Sequence, residues 1–209
     1  MYSFSYYTEK DRTKVLAFMQ ANPFAMLIGS NQNIPAATQV PFFFGEVEGE
    51  LVLTRHIMKN THHHKTFVNN PEALVVFTGP HTYISASWYT HAPSASTWNY
   101  ISVHARGQLK FMDEEGLRNI LRRTTNHFEN NPQSKAAYDQ LPDDYIRKLL
   151  PAIVGIEIKV TALDNVFKLS QNRDAESYDN IIQQLNTQDA GAQAIAREME
   201  LRRKNNPIE

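Results

Sequence analysis

The chain contains no cysteine. That excludes disulfides, thiolate metal ligands and cysteine nucleophiles, and it fits a cytoplasmic protein. No apolar run approaches the roughly 18 residues that a membrane-spanning helix needs. The opening Met1-Tyr2-Ser3-Phe4 lacks a basic segment followed by an apolar one, so no signal peptide is expected. An excess of charge is missing too. The chain has 21 Lys and Arg against 22 Asp and Glu, which gives no general pull toward nucleic acid or anionic lipid. The most informative absence is local. From Leu51 to Met112 there is one carboxylate, Glu72, while the same stretch holds Arg55, Lys59, Lys65, Arg106 and Lys110, seven of the eight histidines and both tryptophans. A cationic, aromatic-rich zone without acids suits an anionic ligand with a flat ring. That points first to a phosphate-bearing aromatic cofactor.

At 209 residues the chain can bury a core as one domain, or as one domain with an appendage. Thr8-Glu9-Lys10-Asp11 reads as a helix start with a capping-box-like pair. That helix carries Val15, Leu16, Phe18 and Met19 and stops before Asn22-Pro23. Phe24 to Ile28 and Thr38 to Phe44 read as strands around a turn at Asn31-Gln32-Asn33, and Leu51 to His56 as a third after the turn at Glu48-Gly49-Glu50. Lys59 to Asn69 is a short helix, and Ala73 to Phe77 a compact strand closed by Gly79-Pro80. After a loop over Pro93 to Ser96, Thr97 to Phe111 is a long alternating strand. Ile101, Val103, Ala105, Leu109 and Phe111 share its aliphatic face; Trp98, Tyr100, Ser102, His104 and Arg106 share the other, which suits a ligand or a second subunit. Asp113 to Phe128 and Pro142 to Leu150 are helices. Ile153 to Thr161 is a half-buried strand, and Asp164-Asn165 turns it into Val166 to Ser170 as a hairpin. Ser177 to Leu185 and Ala192 to Arg203 are helical. Six or seven strands in antiparallel order with helices at the edges suggest a closed barrel, mainly β with peripheral helices.

Three clusters carry possible chemistry. His56 to His64 follows a strand and opens a helix, where free backbone N–H groups and the positive dipole end make a natural phosphate site. Lys59, Asn60, Thr61 and the histidines would add charge and donors. A metal site and a solvated His-rich loop are the competing readings, but adjacent histidines point in different directions and no carboxylate lies within the motif. Ser85 to Tyr89 and Thr97 to Tyr100 place two tryptophans beside hydroxyls, suited to packing or to stacking on a flat ligand. Their serines lack the turn and the acid–His pair of a nucleophile. Lys168-Leu169-Ser170-Gln171-Asn172-Arg173 is either a turn with a helix cap or a set of donors aimed at a ligand. The basic stretch from Leu201 to Asn206 reads as a solvated helix end.

Taken together, these clusters resemble the PaiB-like family of FMN-binding negative transcriptional regulators, within the FMN-binding split-barrel superfamily. The matching segments include Asn22-Pro23-Phe24-Ala25, His56 through Asn60, Phe77-Thr78-Gly79-Pro80-His81, Ser87-Trp88-Tyr89, Thr97-Trp98-Asn99-Tyr100 and Lys168 through Arg173, and they span nearly the whole chain in family order. The resemblance implies a six-stranded antiparallel split β-barrel that forms a homodimer with FMN between subunits. It implies a barrel domain over residues 1–172 with a helical extension over 173–209. It places the cofactor near His56, Met58, Lys59, Asn60, His63, Trp98, Lys168, Ser170 and Gln171, with the phosphate at the junction after the third strand. The chain departs from the family pattern at Ala86 and Ser96, where prolines are usual, at Gln39 in place of a histidine, and at Phe4 in place of a proline.

The leading expectation is a homodimeric FMN-binding protein, with flavin reductase or oxidase chemistry as the alternative. No residue is assigned as catalytic; His104 is a candidate proton donor. The repressor role implied by the family finds no helix-turn-helix and no basic stripe here, so DNA remains a partner named by resemblance alone. Haem or another planar anion, held by the histidines, is a further reading, and so is a dimer whose pocket has lost its ligand.

Overall fold

A computed structural model describes residues 4–205 of the chain. The elements run α1 (Arg12–Ala21), β1 (Phe24–Asn31), β2 (Ile34–Pro41), β3 (Phe43–Val47), β4 (Glu50–Met58), α2 (His62–Asn69), β5 (Glu72–Ile84), β6 (Thr97–Phe111), α3 (Glu114–Glu129), α4 (Asp143–Leu149), β7 (Ile153–Lys168), α5 (Ala175–Asn186) and α6 (Ala190–Asn205). The strands are hydrogen-bonded in the order β2-β1-β5-β6-β7-β4-β3. The sheet therefore has seven strands among the described residues, not the six expected, and its hydrogen-bonded order is open at β2 and β3 and not the closed barrel expected. The chain divides into two compact units: Met1–Asn22 with Phe77–Val103 and Asp164–Glu209, and Pro23–Val76 with His104–Leu163.

The extra strand arises in the second unit. The single strand expected over Thr38 to Phe44 is two strands, broken at Phe42, and they sit at opposite edges of the hydrogen-bonded order. Phe42 is buried, and its N–H donates to the Pro23 carbonyl at 2.8 Å. Two hairpins flank it. β1 pairs antiparallel with β2 through a turn in which Gln32 and Asn33 both take positive φ, at 50° and 63°. β3 pairs antiparallel with β4 through Glu48 and Gly49, also both at positive φ. Tight two-residue hairpin turns of this kind match the right-handed twist of the strands they join. β1 also pairs antiparallel with β5, and β4 with β7.

Local sequence accounts for the helix starts. Asp11, Thr61, Asp113 and Asp174 each accept an N–H of the following first turn through a side-chain oxygen. Asp11 is thus the cap of α1; the Thr8 hydroxyl bonds instead to the Phe4 carbonyl. Thr61 starts α2 three residues later than expected, which leaves Lys59 and Asn60 in a turn with Asn60 at φ 62°.

Two expected turns are strand. β5 continues through Gly79-Pro80. Gly79 is there for closeness: a Cβ would lie 2.4 Å from the Phe18 ring. β7 likewise runs through Asp164-Asn165. The Asn165 amide accepts the Glu9 N–H at 2.7 Å and donates to the Glu9 carbonyl at 3.1 Å, so it grips another segment of the first unit instead of closing a hairpin. In the same unit α5 and α6 pack through Ile181, Leu185, Ile195 and Met199, and the buried Tyr178 hydroxyl donates to the Met199 carbonyl at 3.0 Å.

β6 has the bounds the alternation predicts, and Ile101, Val103, Ala105 and Leu109 are buried. Its glycine, Gly107, marks a close approach to β7: a Cβ there would lie 2.0 Å from the Lys159 carbonyl oxygen. Gly107→Ala is expected to cost about 1–3 kcal/mol, as overpacking does, and to lower Tm by several degrees in thermal unfolding.

The two positions where the resemblance implies prolines, Ala86 and Ser96, meet each other. The Ala86 N–H, which a proline would lack, donates to the Ser96 hydroxyl at 3.0 Å. A hydrogen bond thus links the two positions where the resemblance implies prolines. Chemical denaturation of Ala86→Pro, Ser96→Pro and the double variant is expected to show a coupling of about 0.5–1.5 kcal/mol, the double losing less than the sum of the singles. Strict additivity would mean that the bond contributes nothing.

Candidate functional site

In the second unit, β4 and α2 bring His56, Met58, Lys59, Asn60 and His63 into one strand–turn–helix segment. His56 lies opposite Gly155 on β7, and Met58, which is exposed, opposite Ile153. The Lys59 N–H donates to the Ala152 carbonyl at 2.8 Å, which pins the end of the strand. Thr61 closes the turn, donating to the Met58 carbonyl at 3.1 Å and accepting from the His64 N–H at 3.1 Å. The Asn60 N–H points at His64 Nδ1 at 3.4 Å, so that nitrogen acts as an acceptor.

The histidines here are held neutral. Burial, helped by the Arg55 charge, pushes His56 down to about 4. Burial lowers His63, with His62 adding to the effect, and lowers His64, with Lys59 and Lys65 adding. His63 is 8% exposed and packs its ring 4.9 Å from that of Phe67. Among the described residues no hydrogen-bond partner reaches His56 Nδ1, His63 Nε2 or Arg55 Nε, all of which are buried. Arg55 reaches the Thr124 hydroxyl at 3.4 Å through its terminal nitrogen, and burial lowers its pKa. Its role was not visible in sequence, where it is one more cation on a strand; only the packing of α3 shows it to be enclosed. Glu72, the one acid of the stretch, is engaged by the Gln108 amide at 3.0 Å.

Lys59 sits differently. Its side chain lines a cavity of about 350 Å³ together with Asp113, Glu114, Leu117, Arg147 and Ile153. The acids that end the carboxylate-poor stretch therefore face this lysine. Arg147, absent from the sequence reading, joins it there.

The remaining candidates lie in the first unit. Trp98 is exposed, with its ring centroid 6.1 Å from those of His81 and Tyr83. Lys168 is 7% exposed; its ammonium donates to the Thr97 hydroxyl and to the Trp98 carbonyl, the latter at 2.7 Å. Burial lowers its pKa, and the charge of Arg173 lowers it further. Ser170, at φ 60°, exchanges hydrogen bonds with the buried Asn99 amide at 3.0 and 3.1 Å. Gln171 serves its own turn: its oxygen accepts the Leu169 N–H at 2.7 Å and its nitrogen donates to the Phe167 carbonyl at 2.6 Å. Tyr7, Thr97, Asn99, Lys168, Ser170 and Arg173 line a cavity of about 210 Å³. Tyr7, far away in sequence, was not foreseen there. Among the described residues no group of three or more His, Asp or Glu is arranged to hold a metal ion.

With this geometry in place, the comparisons with known proteins carry weight. A family model described as "Putative FMN-binding domain" matches residues 1–162. The chain is 32% identical over 201 residues to the protease synthase and sporulation protein PAI 2 of Bacillus subtilis (strain 168), covering 96% of this chain and 97% of that protein. In fold it is similar to a FAD and heme binding protein from Mycobacterium smegmatis, at TM-score 0.58 and 17% identity over 77% of this chain and 73% of that one. It is also similar to the flavocytochrome Anf3 from Azotobacter vinelandii, at TM-score 0.53 and 14% identity over 80% and 72%. Those two likenesses concern the fold. The family match and the full-length relative go further, and this chain belongs to the PaiB-like family of FMN-binding domains.

Proposed function

We propose that the protein binds FMN and that the segment joining β4 to α2 receives its phosphate. One observation carries this: buried polar nitrogens of Arg55, His56 and His63 lack partners among the described residues, in a stretch with a single carboxylate. A buried polar group without a partner costs about 1–3 kcal/mol, and an oxyanion placed against it removes that cost. The first-turn N–H groups of α2 and the turn at Asn60 add donors of the kind that hold phosphate at helix N-termini. These residues fit the group. His56, Asn60 and His63 would hold the phosphate, with Arg55 enclosed behind them. Lys59, set against Asp113 and Glu114, would steady the turn more than it would neutralise charge. Met58, which is exposed, offers apolar surface to the ring, and a second copy of the chain is the proposed source of the rest of that wall. When bound, the flavin supplies one- and two-electron chemistry; the protein supplies binding, orientation and exclusion of water. The repressor role implied by the family gains nothing from a net charge of −1.

Titration of FMN into the purified protein is expected to quench flavin fluorescence with saturation at one flavin per chain. His63→Ala is expected to weaken binding by about tenfold or more, the range for a hydrogen bond to a charged group. No quenching would refute FMN binding, and a Soret band on adding haem with no response to FMN would assign the site to haem.

The histidines also set a pH dependence. Below pH 6.5 the unfolded chain takes up protons on His56, while the folded chain does not until about pH 4. The unfolded state therefore binds more protons in that window, so stability falls as pH falls from 6.5 toward 4 and is fully present above it. Tm measured without flavin is expected to drop across this window. His56→Gln is expected to flatten the drop; an unchanged slope would show that His56 is not the buried neutral group.

A further inference from the structure

We propose that the cavity lined by α1 and α6 in the first unit binds a primary amine with an aromatic or branched apolar body, its ammonium held by Glu198. The cavity has a volume of about 360 Å³, within the range of small-molecule pockets, about 300–1,000 Å³. It shares no residue with the β4–α2 junction, and α6 lies beyond residues 1–162, which the family model matches. Phe167 and Leu169 line it, while Lys168 between them lines the smaller cavity described above.

The floor is apolar and fixed. Phe167 is 6% exposed and Leu169 1%. The Phe18 ring stands edge-on to Phe167 at 5.6 Å between centroids and rests against Gly79. Lys14, Ala17, Phe18 and Ala21 share one face of α1 by their spacing, as Glu198, Leu201 and Arg202 do on α6. Ala17 and Ala21 are small and exposed, which keeps the cavity open.

The charges around this floor are not equivalent. Arg202 and Glu9 bond each other at 3.3 Å, and Glu9 also accepts the Asp11 N–H at 3.0 Å. Lys14 is exposed, where water and salt screen its charge. Glu198 is half-buried, and among the described residues no hydrogen bond or ion pair engages its carboxylate. Burial raises its pKa, and the charge of neighbouring Arg197 opposes that rise only in part. An ammonium placed against Glu198 supplies the missing charge-assisted hydrogen bond, which is stronger where water is partly excluded. The body of the amine then covers Phe18, Phe167 and Leu169. A carboxylate of the same shape finds the same floor but brings its charge against Glu198. The sign of the head group is therefore what the cavity discriminates.

The test uses the full chain without flavin. Phenethylamine, its neutral counterpart phenethyl alcohol and its anionic counterpart hydrocinnamate are titrated at neutral pH and constant ionic strength, with binding read by calorimetry. Saturable binding of phenethylamine is expected, about tenfold or more tighter than that of the alcohol, the range for a hydrogen bond to a charged group. Glu198→Gln is expected to remove that preference while leaving the affinity for the alcohol as in the parent. Ala17→Trp, at an exposed position of α1, fills the cavity and is expected to weaken both. Four results would overturn the proposal: no saturation with phenethylamine by about 10 mM, Glu198→Gln keeping the preference for the amine, Ala17→Trp binding both compounds like the parent, or hydrocinnamate binding more tightly than the amine. Flavin takes no part in the assay, so this assignment and that of the β4–α2 junction stand or fall separately.

Discussion

The constraint on which the second unit depends is the one-residue link at Phe42. β2 and β3 are consecutive in the chain, yet they are the two edges of the hydrogen-bonded order. A single residue spans only about 3.5 Å. The sheet in this unit must therefore curl until its edges lie side by side, and β2 does come against β4. Pro41, which has no N–H to give, precedes the break, and the buried Phe42 ring contributes about 1.5–3 kcal/mol to holding it. Curling turns one face of β4 inward. Leu53 and Ile57 gain a core, and Arg55 on the same face is partly enclosed with them, while His56 is partly buried on the opposite face. The enclosure of the Arg55 and His56 nitrogens thus follows from the curl of the sheet, since both sit on β4; His63 is brought to them by α2.

Enclosing cations without acids carries a cost that the rest of the chain avoids. Outside the carboxylate-poor stretch, several cations pair with acids. Arg118 bonds Glu114 at 2.9 Å, Arg122 bonds Asp139 at 2.9 Å, and Arg202 bonds Glu9 at 3.3 Å. Inside the stretch the enclosed Arg55 meets a threonine hydroxyl. Exposed ion pairs contribute up to about 1 kcal/mol each, so little stability is lost by withholding acids from a surface. Withholding them from enclosed positions is expensive unless an anion arrives.

Much of this was legible in the sequence where a periodicity ran long or a motif was local. β6 alternates over fifteen residues, and its bounds were read as Thr97 to Phe111. The β4–α2 junction is contiguous, so its members could be grouped from spacing alone. The misses share another cause. Thr38 to Phe44 reads as one strand because a break between two extended residues leaves no mark in composition. Gly79-Pro80 and Asp164-Asn165 carry turn chemistry, but Gly79 admits the Phe18 ring and Asn165 holds the backbone of Glu9. Both are tertiary uses of residues whose local preference says turn. The cavity beside Lys168 draws on residues from Tyr7 to Arg173, and no sequence window contains it.

The loop from Ala86 to Ser96 joins these levels. Proline rigidifies a loop by restricting the unfolded chain; the hydrogen bond between Ala86 and Ser96 does so by tying the folded one. The second device has a chemical side effect, because it occupies a hydroxyl that stands at the mouth of the first-unit cavity. With Ser96 turned to Ala86, with Ser170 and Asn99 turned to each other, and with Gln171 closing its own turn, the neutral polar groups around that cavity are largely committed to the protein. This differs in kind from the β4–α2 junction, where buried nitrogens of Arg55, His56 and His63 have no partner among the described residues.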